Sequence, residues 1–533
     1  MPAALECGAQ PERQDLVCQA EGDDAAAHGE HVGVVVFAGQ ARRIKVVAER
    51  RPHARHFVGG DLLTLSAAAE HDATICPTLG DRAADRDADR RVVHGRLARG
   101  AMVVDRVAEP RERLLEMFFQ REARMIGADS DSHGERLYYG DSRYEVLMPP
   151  SVVISARGEE RLRTGHPWIY RADVADARAA AGDIVQVRSP RGQILGSALF
   201  SDRSQITLRM LIYGERAADE ALVRRRIHDA IEFRESLSID ATAYRLVHGE
   251  ADLLPSLVVD RYGDYLVVQA LSQGMDRLLP VVVTALTERL HPRGILARND
   301  PRARLLDGLE QRVDVLAGDV PEHVTIVETG VEYSVDLRRG QKTGLFLDQR
   351  ENRAAGAAYA RGRMLDCFSY NGGFALVMGR RCDETIAFDV SEDAVARVKE
   401  NAARNGVAID ACVGNVFDEL RGLDRLGERF DTIVLDPPAF AKNKAAVSNA
   451  RAGYKEINLR ALKLLKPGGT LVTCSCSYNI NEAAFAEIVY EASVDAQAHV
   501  TVLEKRMQGR DHPVLLGVPE TYYLKCFILR KLA

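Results

Sequence analysis

The sequence predicts an α/β protein: a doubly wound parallel sheet preceded by a small β barrel and an α+β domain. Three observations predict it. After residue 351, short apolar runs alternate with helical segments, the pattern of repeated strand–helix units. Two of those runs end in chemistry, at Val434-Leu435-Asp436-Pro437-Pro438-Ala439-Phe440 and Val472-Thr473-Cys474-Ser475-Cys476-Ser477-Tyr478. Between residues 148 and 215, short strands are instead joined by Gly, Ser and Asp turns.

Length and composition set the bounds. The chain has 533 residues, room for three or four domains at roughly 100–200 residues each. No run approaches the roughly 18 apolar residues of a membrane span. No basic start leads into an apolar core, so no secretory signal is expected. Nine cysteines without paired zinc spacing point to a reducing cytoplasm, free thiols and no metal. The net charge of −6 argues against a strongly basic nucleic-acid binder. Residues 1–147 hold 20 Lys+Arg and 25 Asp+Glu; the rest holds 51 and 52 and is near neutral, leaving room for a local basic face.

Residues 1–147 carry no motif. Lys45 is their only lysine, and Asp81 to Arg91 has no core-forming period. Val34 to Phe37 is the best strand candidate, and Arg111 to Met125 suits a helix. His28, His31, His53 and His56 are scattered and read as solvated rather than as metal ligands. Three readings fit this segment: a disordered extension, a small unrelated domain, or a coding start that truly lies at Met148. The third is the expectation.

Residues 148–215 read as strands at Ser151-Val152-Val153-Ile154, Gly182 to Val187, Gly192 to Gly196 and Gln205 to Leu211. Gly165-His166-Pro167-Trp168-Ile169-Tyr170-Arg171 holds the only tryptophan. Arg157, Arg161, Arg163 and Arg171 beside Trp168 and Tyr170 suit a phosphate-contacting face, although a core tryptophan with solvated arginines fits the residue types as well. The His-Pro-Trp segment and the Gly-Asp-Ile-Val strand resemble a PUA domain, an RNA-binding barrel. That resemblance implies RNA contacts at Arg163, His166, Trp168 and Arg171.

Residues 216–350 read as a small α+β domain. Helices are expected at Ala221 to Leu237 and Asp276 to Leu290. Hairpins are expected around Gly263-Asp264 and Thr329-Gly330. Gln341-Lys342-Thr343-Gly344 is not a P-loop, because Gly-x4-Gly-Lys after a strand is missing, so nucleoside triphosphate binding is excluded. Lys342, Gln349 and Arg350 precede the last domain and are candidates to touch RNA or cofactor.

Residues 351–533 hold the repeated units. Strands are expected at Met364 to Phe368, Glu384 to Asp389, Ala408 to Val413, Phe430 to Asp436 and Thr470 to Cys474. His499 to Glu504 and Tyr522 to Leu529 are expected as an antiparallel pair at one edge. Ser391 caps a helix to Asn405, with Gly406 as its stop. Lys466-Pro467-Gly468-Gly469 is expected to close the helix before the fifth strand. The first turn, Ser369-Tyr370-Asn371-Gly372-Gly373-Phe374, is not the dinucleotide Gly-x-Gly-x-x-Gly. With Asp366 nearby it suits a neutral or cationic ligand, and Asp389 suits ribose hydroxyls. NAD remains an alternative on these residues.

Carbon 5 of a pyrimidine is a poor nucleophile. A thiolate added to carbon 6 makes it enamine-like, able to attack an activated methyl. An acid must meet the ring as charge develops. Asp436 and Cys476 end neighbouring strands if the fourth strand pairs with the fifth. Phe440 or Tyr478 could stack on the flat ring. Two small residues in a buried strand is the plain alternative for Cys474 and Cys476.

Residues from about 150 to 533 resemble the class I S-adenosylmethionine (SAM)-dependent 23S rRNA cytosine-C5 methyltransferases. The resemblance is carried by Lys342-Thr343-Gly344 through Asp348-Gln349-Arg350, Cys367-Phe368-Ser369-Tyr370 with Gly372-Gly373-Phe374, Asp436-Pro437-Pro438, Gly453-Tyr454-Lys455 and Ser475-Cys476-Ser477. It implies a Rossmann-like methyltransferase domain at 351–533 after a PUA-like domain (148–215) and a central domain (216–350). It implies Cys476 as nucleophile and SAM contacts at Asp366, Ser369, Gly372, Asp389 and Asp436, with Tyr370 in the same turn. The residue near the adenine is commonly acidic; here it is Asn415, with Asp418 as a nearby substitute. The Asp-Pro-Pro segment lacks the extra cysteine that related enzymes use for product release, a role conjectured for Cys474. The expected partner is large-subunit rRNA, with no membrane and with a homodimer possible. Two rival readings are kept: a guanine-N7 methyltransferase of the same fold, which needs no thiol, and a non-catalytic RNA-binding assembly factor.

Overall fold

The computed structural model describes residues 149–441 and 444–532, and three strands nearer the start. Strands His31–Val35, Arg43–Ala48 and Ala73–Cys76 pair antiparallel in that order. The strand expected at Val34 to Phe37 overlaps the first of these. The helix expected at Arg111 to Met125, the Asp81 to Arg91 run and the side chains of the four early histidines lie outside the described residues. The chain divides into two compact units, Met1–Ser142 and Arg143–Ala533.

In the second unit a six-stranded sheet comes first. Its order is Trp168–Tyr170, Ile206–Tyr213, Ile194–Phe200, Ile184–Arg188, Ser151–Ile154, Val174–Arg178. Ser155 caps the helix Ala156–Arg163 by accepting from Gly158 N. Alternation along Ile184–Arg188 puts Val185 and Val187 into a core with Val152, Ile154, Ile169 and Leu208. A five-stranded sheet follows, ordered Ala243–His248, Leu257–Tyr262, Tyr265–Ala270, Gly294–Asn299, Arg312–Gly318. Gly263, at φ +61, turns the expected hairpin. The helix expected over Asp276 to Leu290 is two pieces, Gln273–Arg277 and Leu279–Leu290. Pro280 near the start of the second piece has no N–H to carry a helix through.

The hairpin His323–Glu328/Val331–Asp336 packs its buried face with residues of both neighbours, Ala243 and Tyr262 on one side, Met364 and Phe374 on the other. Arg353 forks onto Glu328 with bonds of 2.7 and 2.9 Å, both residues buried.

The last sheet has seven strands: Asp410–Val413, Glu384–Asp389, Arg363–Cys367, Phe430–Leu435, Leu465–Ser475, Lys525–Lys531, Val500–Arg506. The first five are parallel. Lys525–Lys531 runs antiparallel to both of its neighbours. The helix Val447–Leu464 passes straight into strand Leu465–Ser475, so Lys466 to Gly469 belongs to the strand rather than to a helix end. Strand order reverses between Arg363–Cys367 and Phe430–Leu435, and a ligand crevice is expected at such a point, outside the carboxyl ends. Among the described residues no helix is long and apolar enough to cross a membrane.

Candidate active site

A cavity of about 360 Å3 opens at that reversal. Its lining includes Asp366, Ser369, Tyr370, Asp389, Asn415, Asp436 and Cys476, seven of the residues singled out from sequence. The register explains their meeting. Asp366 pairs with Val434 across the parallel ladder, and Leu435 pairs with Thr473. Each chain therefore delivers its next residues to the same edge.

The glycine turn sits on the first strand. Phe368 (φ +67) and Tyr370 (φ +50) adopt the left-handed region, unusual without glycine. Asp389 holds the turn: Oδ2 accepts from Tyr370 N at 2.9 Å and Oδ1 from Ser391 N at 3.0 Å. Gly372 (φ +81) shapes the turn from behind, where an added Cβ would meet Leu376 and Val398 at 3.3 Å. Asn371 and Gly373, not Gly372, line the cavity. That corrects Gly372 as a direct contact.

Asp366 is buried, and one of its oxygens accepts from Ala375 N at 3.0 Å. The other oxygen, and the Ser369 hydroxyl, are buried with no hydrogen-bond partner among the described residues. Burial and the neighbouring Asp436 hold the Asp366 carboxyl well above its usual range. A ligand bringing N–H donors and positive charge would relieve both orphans. SAM, with its ammonium and sulfonium, fits that demand. Asn415 lines the cavity, and its Oδ1 accepts from Phe417 N at 3.0 Å, which leaves the amide N–H2 as the donor it can offer a ligand. Asp418 is exposed, pairs with Arg421 and does not line the cavity, so it is no substitute for Asn415.

Asp436 follows strand Phe430–Leu435 and is half-buried. Gln349 Nε2 donates to its Oδ1 at 2.8 Å, and Asn352 Nδ2 donates to Gln349 Oε1 at 2.7 Å. Burial, then the Asp348 carboxylate, push Asp436 up to about 7. Cys476 is pushed up to about 12, by burial and then by Asp436, while the Lys342 and Lys525 ammoniums pull the other way. It therefore rests as a thiol, where a usable thiolate was expected. Its Sγ lies 3.7 Å from Pro437 O.

The loop after Asp-Pro-Pro is pinned to Cys476 through Ser477. Ser477 Oγ accepts from Ala441 N at 3.2 Å and meets Tyr454 Oη at 2.9 Å. Gly453 makes room: an added Cβ would meet the Phe440 ring at 3.3 Å. Phe440 lines the cavity with its ring centroid 4.7 Å from that of Tyr454, whereas Tyr478 is 44% exposed and not part of the lining. Lys525, 1% exposed, donates to Ser477 O at 2.7 Å and Tyr523 O at 2.8 Å. Cys474 is wholly buried beside Cys526, Gln349 and Asp436 and does not line the cavity. It cannot reach a base, which corrects the product-release conjecture.

The expected RNA contacts divide. Lys342 is exposed, at φ +60, with Nζ 5.9 Å from the Phe346 ring centre. Gln349 is buried and committed to Asp436. Arg350 is buried, forked onto Asp511 at 2.9 and 3.1 Å. Neither can touch RNA, and both are corrected: the site's own carboxylates claim their donors. In the barrel, Arg163 is exposed and pairs with Glu159 at 2.7 Å. Arg171 donates to Asp202 O and Ser204 O. Trp168 Nε1 donates to Glu250 at 3.1 Å, and His166 lies 3.6 Å from Glu520. Sequence reading misses Arg353, Val390 and Phe417 of the lining and Lys525 near it, and gives no site role to Phe368, Asn371 or Asp348, which stand in its motifs. Apolar residues after strands look like ordinary core, and a distant buried lysine carries no local signal.

The S-adenosylmethionine-dependent methyltransferase family matches residues 302–513, and a PUA-like domain family matches 152–213. A protein named ribosomal RNA large subunit methyltransferase I from Tolumonas auensis is 39% identical over 395 residues, 72% of this chain and 100% of the relative. The protein of that name from Vibrio cholerae is 37% identical over 397 residues, again 72% and 100%. A solved structure of a candidate methyltransferase complexed with SAH superimposes with a TM-score of 0.62 at 21% identity, covering 71% of this chain and 99% of that one. So does a candidate SAM-dependent methyltransferase from Streptococcus mutans, with the same values.

Proposed function

This chain belongs to the ribosomal RNA large subunit methyltransferase I family of SAM-dependent enzymes, and from that premise we propose that it methylates carbon 5 of a cytosine in large-subunit rRNA through a covalent Cys476 adduct. The observation that carries this reading is the meeting of a thiol and a carboxyl, from adjacent parallel strand ends, at one cavity. A nitrogen-methylating enzyme has no use for that thiol.

SAM supplies the electrophilic methyl. Asp366 and Ser369, with their unpartnered oxygens, are the residues that would hold its charged end. Asp389, Asn415, Val390 and Phe417 would hold the nucleoside end. The chain's own residues prepare the base. Phe440 offers a ring face. Asp436, near 7, keeps enough protonated form to donate to ring nitrogen 3 as Sγ adds to carbon 6. The thiol must lose its proton first. Its proton passes to an ionised Asp436, which consumes the carboxylate charge that holds the Cys476 proton on and leaves the acid form that then donates to ring nitrogen 3. Lys342, exposed next to Gln341 of the lining, adds positive charge for both thiolate and phosphate. In the barrel, Arg163, His166, Trp168 and Arg171 would carry flanking RNA.

The test is nucleoside mass spectrometry on undermethylated rRNA incubated with the protein and SAM. A gain of 5-methylcytidine is expected, lost in Cys476→Ala while titration calorimetry still shows SAM binding. A gain of 7-methylguanosine instead, or equal activity in Cys476→Ala, would sink the cysteine mechanism.

A further inference from the structure

A carboxyl has two oxygens, and the proton on Asp436 is useful on only one of them. Its acid form must donate to ring nitrogen 3 in the reading above, on which this inference rests. Asp436 lines the cavity, whereas Gln349, which bonds its Oδ1 at 2.8 Å, is 2% exposed and does not. Oδ1 is therefore the inner oxygen, and Oδ2 is the one left to a base.

The Gln349 side chain belongs to a series of hydrogen bonds whose direction is set from its far end. Arg506 closes the edge strand Val500–Arg506, and a guanidinium can only donate. Its Nε bonds Asn352 at 3.1 Å, so the Asn352 atom that meets it is the carbonyl oxygen. The Asn352 amide nitrogen then lies 3.1 Å from Met507 O, a carbonyl that can only accept. Turning Asn352 over would set donor against donor and acceptor against acceptor, so its orientation is fixed twice. It also donates to Gln349 Oε1 at 2.7 Å. With Oε1 taken, Gln349 Nε2 must face Asp436. Gln349 and Asn352 stand three apart at the start of helix Arg350–Ala357, on one face. Both are buried, where an unmatched polar group is costly.

Other groups bear on Asp436 without choosing between its oxygens. Asp348 holds the proton on and Arg353 draws it off, while Asp366 and Cys476 feel the Asp436 charge in turn. The Cys474 thiol beside it can donate or accept, so it sets no direction.

We propose that the Arg506–Asn352–Gln349 relay keeps the Asp436 proton on Oδ2, with Asn352 and Gln349 as positioning residues for the acid. A proton on Oδ1 would meet the Gln349 N–H, donor against donor, so Oδ1 stays an acceptor in both charge states. The S–H bond of Cys476 breaks, and an O–H bond forms at Oδ2. The sulfur keeps its electron pair and adds to carbon 6. The displaced ring pair reaches nitrogen 3 through carbons 5 and 4, takes the Oδ2 proton there, and leaves Oδ2 a carboxylate again. No oxidant or reductant enters.

The test uses the full chain with SAM and undermethylated rRNA. It follows kcat against pH, KM for rRNA, and SAM affinity by calorimetry. Asn352→Asp replaces an N–H2 by an oxygen away from the cavity. The new carboxylate accepts from Arg506 but cannot donate to Gln349, whose amide turns over and offers Oε1 to Asp436. The proton is then drawn to Oδ1. An acceptor in place of a donor disfavours the carboxylate, so the rising limb of the pH profile should move up by about one pH unit or more. The added charge alone would also move that limb, but not the plateau above it. On the plateau kcat should still fall on the order of a hundredfold, with KM and SAM affinity unchanged. Neutral Gln349→Met, which removes the donor without reversing it, should move the limb the same way by less. The inference is overturned if Asn352→Asp reaches the wild-type plateau, or if Gln349→Met leaves the limb unmoved. Should Asn352→Asp fail to fold or to bind SAM, Gln349→Met decides by the position of the limb. Wild-type protein that makes no 5-methylcytidine would instead defeat the cytosine reading itself, a result distinct from these.

Discussion

The carboxylates of the site are worth more to chemistry than to the fold. Asp436 loses its proton near 4 in an unfolded chain but near 7 in the folded one. Between those values the folded protein binds the extra proton, so stability falls as pH rises from about 4 to about 7, then levels. Asp436→Asn removes the titration. Its stability relative to wild type should rise across that window to a gain on the order of 1–2 kcal/mol above pH 7, discounted for partial exposure. Thermal melts against pH would check this, with methyl transfer lost. Asp366 makes the opposite case. Its orphan oxygen is expected to meet the cofactor, so Asp366→Ala should weaken SAM at least tenfold by calorimetry, about the worth of one charge-assisted hydrogen bond. Unchanged affinity would place the ammonium elsewhere.

Elements here are tied by buried ion pairs as much as by apolar faces. The hairpin His323–Glu328/Val331–Asp336 is bolted to the helix Arg350–Ala357 by Glu328 and Arg353. Removing one charge of such a pair strands the other in a low dielectric. Glu328→Gln should therefore cost on the order of 3–5 kcal/mol in denaturant melts, far more than loss of the exposed Arg163–Glu159 pair. The same helix begins with Arg350. Asp511 opposite it is held ionised far below the usual carboxylate range: burial resists, but His512 and Arg350 prevail. This pins the loop before Lys525 to the segment that presents Asp348 and Gln349. The rigidity of the site thus comes from the helix behind it.

At the scale of the second unit, the barrel meets the catalytic edge directly. Gly517 lies so near Gly165 that an added Cβ would stand 2.5 Å from its carbonyl oxygen. Beside it, Glu520 faces His166 and also bonds Tyr478, two residues after Cys476. Gly517→Ala must push the barrel from the edge. We expect KM for rRNA to rise several-fold while SAM affinity is unchanged, since no cofactor contact moves; an unaltered KM would show that the barrel acts without this contact. Trp168 joins barrel to central sheet through Glu250, so this residue serves the join between the two elements.

The sequence by itself determined the alternation of strands and helices, the capped helix Glu392–Asn405 with Gly406 at φ +64, and the acids and thiol at strand ends. These are local facts: period, caps and turn residues act within a few positions. It also placed Asp436 and Cys476 together, conditional on one strand pairing that the ladder supplies. Tertiary structure decided everything that depends on what lies across a gap. It turned Arg350 inward to Asp511, gave Gln349 to Asp436, hid Cys474 and left Asp348 with a free oxygen. A side chain's charge state and reach follow from burial and from partners 161 residues or more away in sequence, and no local pattern encodes them.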